Sequence, residues 1–255
     1  MAKDRLAFFD VVKTIAIPLI VIQHIPQLAD INTEHFVLPV FGNLGLGRIG
    51  VAMFVFTSGA LLYHSYPRVG DLGKYFWRRA LRLYPAYWLS IILGMIFLAS
   101  RWPEQNTLKI IDQFLGLTMY TPISQNTLFN TVGWYIGMIM TLYLAYPLLA
   151  RAFEKHAPIT IIMVVFISII YRAVTYGHPM PVLALEWYYS PISNIGFFVL
   201  GMATIKYGFY QKYNNIKYVG FLADLSFYMD RKIQGVLRGL ELNWPDLSRF
   251  RPAAR

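Results

Sequence analysis

The sequence predicts an all-α, polytopic membrane bundle of about six complete spans followed by an incomplete seventh. Three observations carry that expectation. Of the 255 residues, 56% are hydrophobic and only 14% are charged, where a soluble domain carries about a quarter charged. Apolar runs recur at close to the length of about 20 residues that crosses a bilayer core. Most Lys and Arg residues sit in short segments between those runs. That is the pattern of membrane orientation, so the net charge of +10 does not indicate a nucleic-acid partner.

The first span covers residues 8–26, FFDVVKTIAIPLIVIQHIP. Lys3 and Arg5 precede it as in a signal peptide, but Asp10 and Lys13 interrupt the run and no small-residue cleavage site follows, so it is expected to be retained. The second span covers 49–66. Running into its start, Gly45-x-Gly47-x-x-Gly50 matches the dinucleotide fingerprint, with Asp71 about twenty residues on. No strand precedes these glycines and a membrane helix follows, so their expected role is close packing on neighbouring helices. Further spans are predicted at 84–99, 132–150, 158–176 and 191–207. A half-apolar piece at 108–119 is expected to lie at the interface. A seventh apolar run, KYVGFLADLSFYM, stops at Asp230. Residues 1–229 thus form the membrane domain, and 230–255 a polar, basic tail without a sustained apolar period.

Orientation follows from the basic residues. Lys3, Arg5, Arg68, Lys74, Arg78, Arg79, Arg82, Arg151, Lys155, Lys206, Lys212 and Lys217 fall on one side of this topology; Arg48, Arg101, Lys109 and Arg172 fall on the other. The richer side is expected to be cytoplasmic, with the N-terminus inside a cell membrane. Tyr and Trp at the span edges are expected to form an interfacial belt.

Two constellations suggest chemistry. Lys13 and His24 are eleven residues apart, close to three helical turns, so they share a face about 16 Å apart along the axis. Ionisable groups inside a span usually face a protein interior or a wet cavity and mark a site; the alternative is that both snorkel to the interfaces. Arg79 and Arg82, at i and i+3, lie on neighbouring positions of a helix surface. They either set topology or offer two guanidinium forks to a phosphate-bearing ligand. There is no cysteine, hence no disulfide and no thiolate metal site. His35, His64, His156 and His178 are scattered without zinc-ligand spacing, so no metal or resident cofactor is expected.

Several blocks, in order, resemble the integral-membrane acyltransferase family 3, whose members acylate sugars of bacterial surface polysaccharides. Lys13-x10-His24 is similar to the family's basic-x10-His motif. Gly50, Val51, Phe54, Ser58 and Gly59 match its Gly-Val-x-x-Phe-x-x-x-Ser-Gly block, and Arg79, Arg82 and Pro85 its Arg-x-x-Arg-x-x-Pro block. Trp134, Tyr143 and Pro147 resemble a later span, and NIGFFVLGMA another. The resemblance covers roughly residues 5–229. Ile139 stands where many members have a glutamate. LSFYM looks like the start of a late family span that DRK then interrupts, so the chain looks truncated or shifted in frame there.

The resemblance implies transfer of an acyl group, acetyl foremost, from acyl-CoA to a hydroxyl of a cell-surface carbohydrate. Acyl-CoA, carbohydrate and the lipid bilayer are the implied partners, without nucleic acid. His24 and Lys13 would be catalytic, His24 as general base because imidazole titrates near neutral pH. Arg79, Arg82, Ser58, Trp134 and Tyr143 would bind substrate. A transporter or flippase for a polysaccharide or lipid-linked sugar, and an inactive remnant, are the alternatives.

Overall fold

The computed structural model describes residues 6–29, 45–66, 69–98, 107–118, 120–121, 133–175 and 188–212. Among them the fold is entirely helical: α1 Ala7–Ala29, α2 Leu46–Ser65, α3 Leu72–Leu98, α4 Thr107–Leu115, α5 Trp134–Thr175, α6 Pro191–Lys206 and the single turn α7 Phe209–Lys212. The run at 217–229 and the tail at 230–255 lie outside the described residues.

Helix α2 is the centre of the packing. Its glycines let two neighbours approach to backbone contact. A Cβ added at Gly50 would lie 2.8 Å from the Ala16 carbonyl oxygen, and Gly45 and Gly47 face the Gln23 side chain. On the far side, a Cβ at Gly59 would fall 2.0 Å from the Phe198 carbonyl oxygen, and one at Gly201 2.0 Å from the Phe56 carbonyl oxygen. The glycines of the fingerprint-like stretch are therefore packing residues, as small residues are between membrane helices. Because Gln23 meets the start of α2 while Phe9 meets Phe56, α1 runs antiparallel to α2.

Helix α5 runs through 42 residues, about 63 Å if straight and twice a bilayer core. It is not straight. His156 has non-helical dihedrals and Pro158 follows it. Both ends of α5 meet the same end of α6: the Trp134 ring lies 5.1 Å from that of Tyr188, and Arg172 Nε donates to the Ser193 carbonyl at 3.0 Å. The opposite end of α6 meets the bend, where Lys206 Nζ donates to the Phe153 carbonyl at 3.2 Å. The two arms, 134–155 and 157–175, thus form an antiparallel hairpin around His156. They correspond to the fourth and fifth expected spans.

Three helices among the described residues are long and apolar enough to cross a membrane: α2, α3 (to Phe97) and α5. Helix α1 has 23 residues and carries Asp10 and Lys13, and α6, at sixteen residues, is a shorter apolar helix. Six complete spans are therefore not confirmed. The described residues show three long apolar helices, one of them doubled back, together with one charged and one short helix. Helix α4, with nine residues, is too short to span, as expected of an interfacial piece. Helix α3 begins twelve residues earlier than the apolar run indicates, because its charged first turns are good helix formers and Asp71 caps it, accepting from the Lys74 amide at 3.0 Å.

Candidate functional site

The bundle has two chemically distinct ends, which the helix directions sort. The C-terminal end of α2, the start of α3, the bend in α5 and the C-terminal end of α6 lie together. There the Tyr63 hydroxyl donates to Glu154, and Lys206 Nζ sits 3.5 Å from the same carboxylate oxygen. At the other end are the start of α2, Trp134, Tyr188, Arg172 and the Gln23–His24 turn of α1. Arg48 lies 5.2 Å over the Tyr188 ring, and Trp134 packs 4.6 Å from the Tyr189 ring. Burial holds the Tyr188 phenol above its ordinary range, with the Arg48 charge opposing it.

Between the ends, polar atoms line the seam where α2, α3 and the first arm of α5 meet. Tyr75 OH donates to the Tyr143 carbonyl at 3.0 Å, and Tyr146 OH to the Tyr66 carbonyl at 2.6 Å. The Tyr135 and Ser58 side chains lie close together farther along the seam. Tyr75, Tyr143 and Tyr146 are buried, so these tyrosines form core. A buried phenol needs a partner for its hydroxyl, and neighbouring backbone carbonyls supply it.

Arg79 enters this seam. Its guanidinium lies 5.2 Å over the Tyr66 ring and 6.0 Å over the Tyr143 ring. Its Nε is shielded from solvent and has no hydrogen-bond acceptor among the described residues. Buried polar groups are nearly always satisfied, and exceptions call for a ligand, an ion or water. At the rim, the hydrogen bond from Arg78 leads the causes that lower the Tyr66 phenol pKa; partial burial opposes it and the Arg79 charge assists.

The residues expected from sequence do not all converge. Arg79 and Tyr143 meet in the seam, and Ser58 lies farther along it with Tyr135. Trp134 belongs to the aromatic cluster at the far end, with Tyr188 and Tyr189. Arg82 is exposed, about 60° round the helix from Arg79, so of the two only Arg79 enters the seam. On α1 the buried face carries Phe9, Val12 and Ala16. Lys13 and His24 flank it, both half-buried, while Ile17, Val21 and Ile22 are exposed. Their shared side is therefore present. Lys13 Nζ is paired with Asp10 at 2.9 Å, and that pair is partly exposed. His24 lies toward the end of the bundle opposite Arg79.

Sequence reasoning passed over Tyr66, Tyr75, Tyr135 and Tyr146. The available signal was tyrosine at i and i+3, as at Tyr63/Tyr66 and Tyr143/Tyr146, which puts two phenols on one helix face. Among the described residues no three His, Asp or Glu side chains come together as a metal would need.

Comparison with known proteins adds the family. A model described as an acyltransferase domain matches residues 6–225. The chain is similar to "Putative acetyltransferase ORF330" of Acidianus two-tailed virus, 25% identical over 181 residues, covering 71% of this chain and 53% of the viral protein. It thus spans about half the length of that curated relative. No solved structure matches it. The family match takes in α1 through α6 together with the Arg79 seam, and the chain belongs to acyltransferase family 3.

Proposed function

We propose that this protein is a membrane-bound acyltransferase that moves an acyl group, acetyl foremost, from acyl-CoA to a hydroxyl of a cell-surface carbohydrate. The observation that carries the reading is the Arg79 guanidinium, sunk among tyrosines with a buried and unpartnered Nε. A cation so placed is a receptor for an anion, and guanidinium is the group suited to forked binding of phosphate oxygens. On this reading the donor's phosphates rest at Arg79. The end holding Arg79, Lys206 and the N-terminal turns faces the cytoplasm, where acyl-CoA is made, and the bundle sits in the cell membrane.

The donor's acyl arm then extends along the seam. From the level of Tyr143 to that of Trp134 is nine residues, about 14 Å of helix rise, which suits an extended flexible chain. Ser58 and Tyr135 lie along that path. Near the far end, His24 takes the proton from the acceptor hydroxyl as its oxygen attacks the thioester carbonyl. The carbon–sulfur bond breaks and coenzyme A leaves as the thiolate. Aromatic rings such as Trp134, Tyr188 and Tyr189 suit the faces of a sugar. Lys13, held by Asp10, supplies positive charge along α1, toward the donor's end.

The reading is tested by donor binding to purified protein in detergent. Wild type is expected to bind acetyl-CoA, Arg79→Ala to lose binding by on the order of 10-fold to 100-fold, and Arg79→Lys to recover part of it. Unchanged affinity in Arg79→Ala would return the residue to a structural role. Movement of a sugar across liposomes without consumption of acyl-CoA would identify a transporter instead.

A further inference from the structure

The outer face of α3 carries a feature that touches the seam only through Arg78, whose Nη1 reaches the Tyr66 hydroxyl at 3.5 Å. Lys74, Arg78 and Arg82 follow one another at intervals of four, and all three are exposed. On a helix of 100° per residue they form a slowly turning stripe about 12 Å long. The far side of the helix buries Tyr87 and Ile91, while buried Tyr75 borders the stripe, so the three exposed cations point mainly away from the bundle. Beside it stand Trp77, 65% exposed, and Leu81, 53% exposed. Past the stripe the same outward side becomes apolar, with Leu89, Ile92 and Ile96 exposed. Asp71, the carboxylate nearest in sequence, is engaged in capping the helix through the Lys74 amide.

The length of α3 explains where these cations lie. Its 27 residues span about 40 Å, against about 30 Å of hydrocarbon. The surplus of roughly 10 Å is close to the length of the stripe. A helix whose apolar outer half crosses the core therefore leaves Lys74, Arg78 and Arg82 at headgroup depth, Arg82 reaching back by its long stem. Trp77 is an amphipathic ring of the kind that settles at that level. Three cations on a lipid-facing surface at headgroup depth complement a negative lipid surface.

We propose that Lys74, Arg78 and Arg82 form a binding site for the headgroup phosphates of anionic phospholipid, on the lipid side of α3 and separate from Arg79. The site anchors α3 at a fixed depth and so fixes the level at which Arg79 enters the seam. The proposal rests on the reading of α3 as a membrane span but not on the identity of the donor.

The test is native mass spectrometry of the protein taken from vesicles of equal parts phosphatidylglycerol and phosphatidylcholine. Wild type is expected to retain phosphatidylglycerol in preference. Lys74→Gln with Arg78→Gln is expected to weaken that preference by about fivefold per charge removed, Arg82→Gln to weaken it further, and Lys74→Arg with Arg78→Lys to keep it. Acetyl-CoA affinity, measured in parallel, should not change in Lys74→Gln/Arg78→Gln. Arg79→Gln separates the two ideas: it should lose donor affinity and keep the lipid preference. Equal retention of both lipids by wild type would overturn the site, as would undiminished preference in the neutralised variants. Loss of acetyl-CoA binding in Lys74→Gln/Arg78→Gln, with lipid preference intact, would also overturn it by assigning the stripe to the donor.

Discussion

Replacing Gly59 by alanine should be among the most damaging single-methyl additions in this protein. The added Cβ would stand 2.0 Å from the Phe198 carbonyl oxygen, where ordinary contact begins at 3.4 Å. The obstacle is helix backbone, which cannot rotate aside as a side chain would, so α2 and α6 must part by about 1.4 Å. A gap of 0.5–1 Å already forfeits roughly a quarter to a half of a dispersion contact. The crossing is lined by Val55, Phe56, Ala60, Phe198, Val199 and Met202, all buried. Overpacking usually costs about 1–3 kcal/mol, and a backbone clash belongs at the upper end. At about 2–4 °C of Tm per kcal/mol for a chain of this size, the melting point in detergent should fall by about 6–12 °C. Gly201→Ala meets the Phe56 carbonyl oxygen at the same 2.0 Å and should cost a similar amount. The double variant should cost less than the sum, since the first methyl already opens the crossing. Gly73→Ala is the control: its nearest neighbour is Asp71 Oδ1 at 3.5 Å, and alanine should stabilise the helix by up to about 1 kcal/mol. Thermal unfolding followed by fluorescence-detected size exclusion reads all four variants. A Gly59→Ala melting point within about 2 °C of wild type would refute the backbone-contact argument.

Four further outcomes are expected. His24→Gln should abolish acyl transfer to a sugar acceptor while leaving acetyl-CoA affinity unchanged; wild-type turnover would leave His24 as a packing residue. Tyr63→Phe removes the donor to the Glu154 carboxylate and should cost about 1.5 kcal/mol in thermal unfolding, whereas an unchanged midpoint would show that Lys206 alone holds the bend. The Tyr66 phenol, lowered by Arg78, should ionise before the other tyrosines in an ultraviolet alkaline titration. Because its folded pKa lies below the unfolded one, its stabilising effect is complete above pH about 10 and is lost as pH falls through the folded value; Arg78→Ala should erase the early phase, and its persistence would assign the effect elsewhere. A cysteine at position 71 or 154, in a chain with no native cysteine, should resist an impermeant thiol reagent applied outside cells, and labelling there would invert the proposed orientation.

Helix type, most helix positions and the grouping of basic residues were legible in the sequence, because they depend on local quantities. Apolar run length locates a segment in a bilayer. The eleven-residue spacing of Lys13 and His24 fixes their common side on α1, and the small residues Gly50 and Gly59 mark close approach without specifying the partner. Other features required the tertiary structure, because they depend on contacts between residues far apart in the chain. The doubling back of α5 hangs on the backbone at His156 and on Trp134 and Arg172 meeting one end of α6. Arg79 and Arg82 have the same local chemistry, yet a 60° rotation about α3 sinks one among Tyr66 and Tyr143 and leaves the other exposed. The hydroxyls of Tyr75 and Tyr146 find their acceptors only when the carbonyls of Tyr143 and Tyr66 are brought alongside by the fold. Hydropathy measures only the cost of taking a residue out of water. Whether its polar atom is satisfied there is decided by which backbone the fold places within 3 Å.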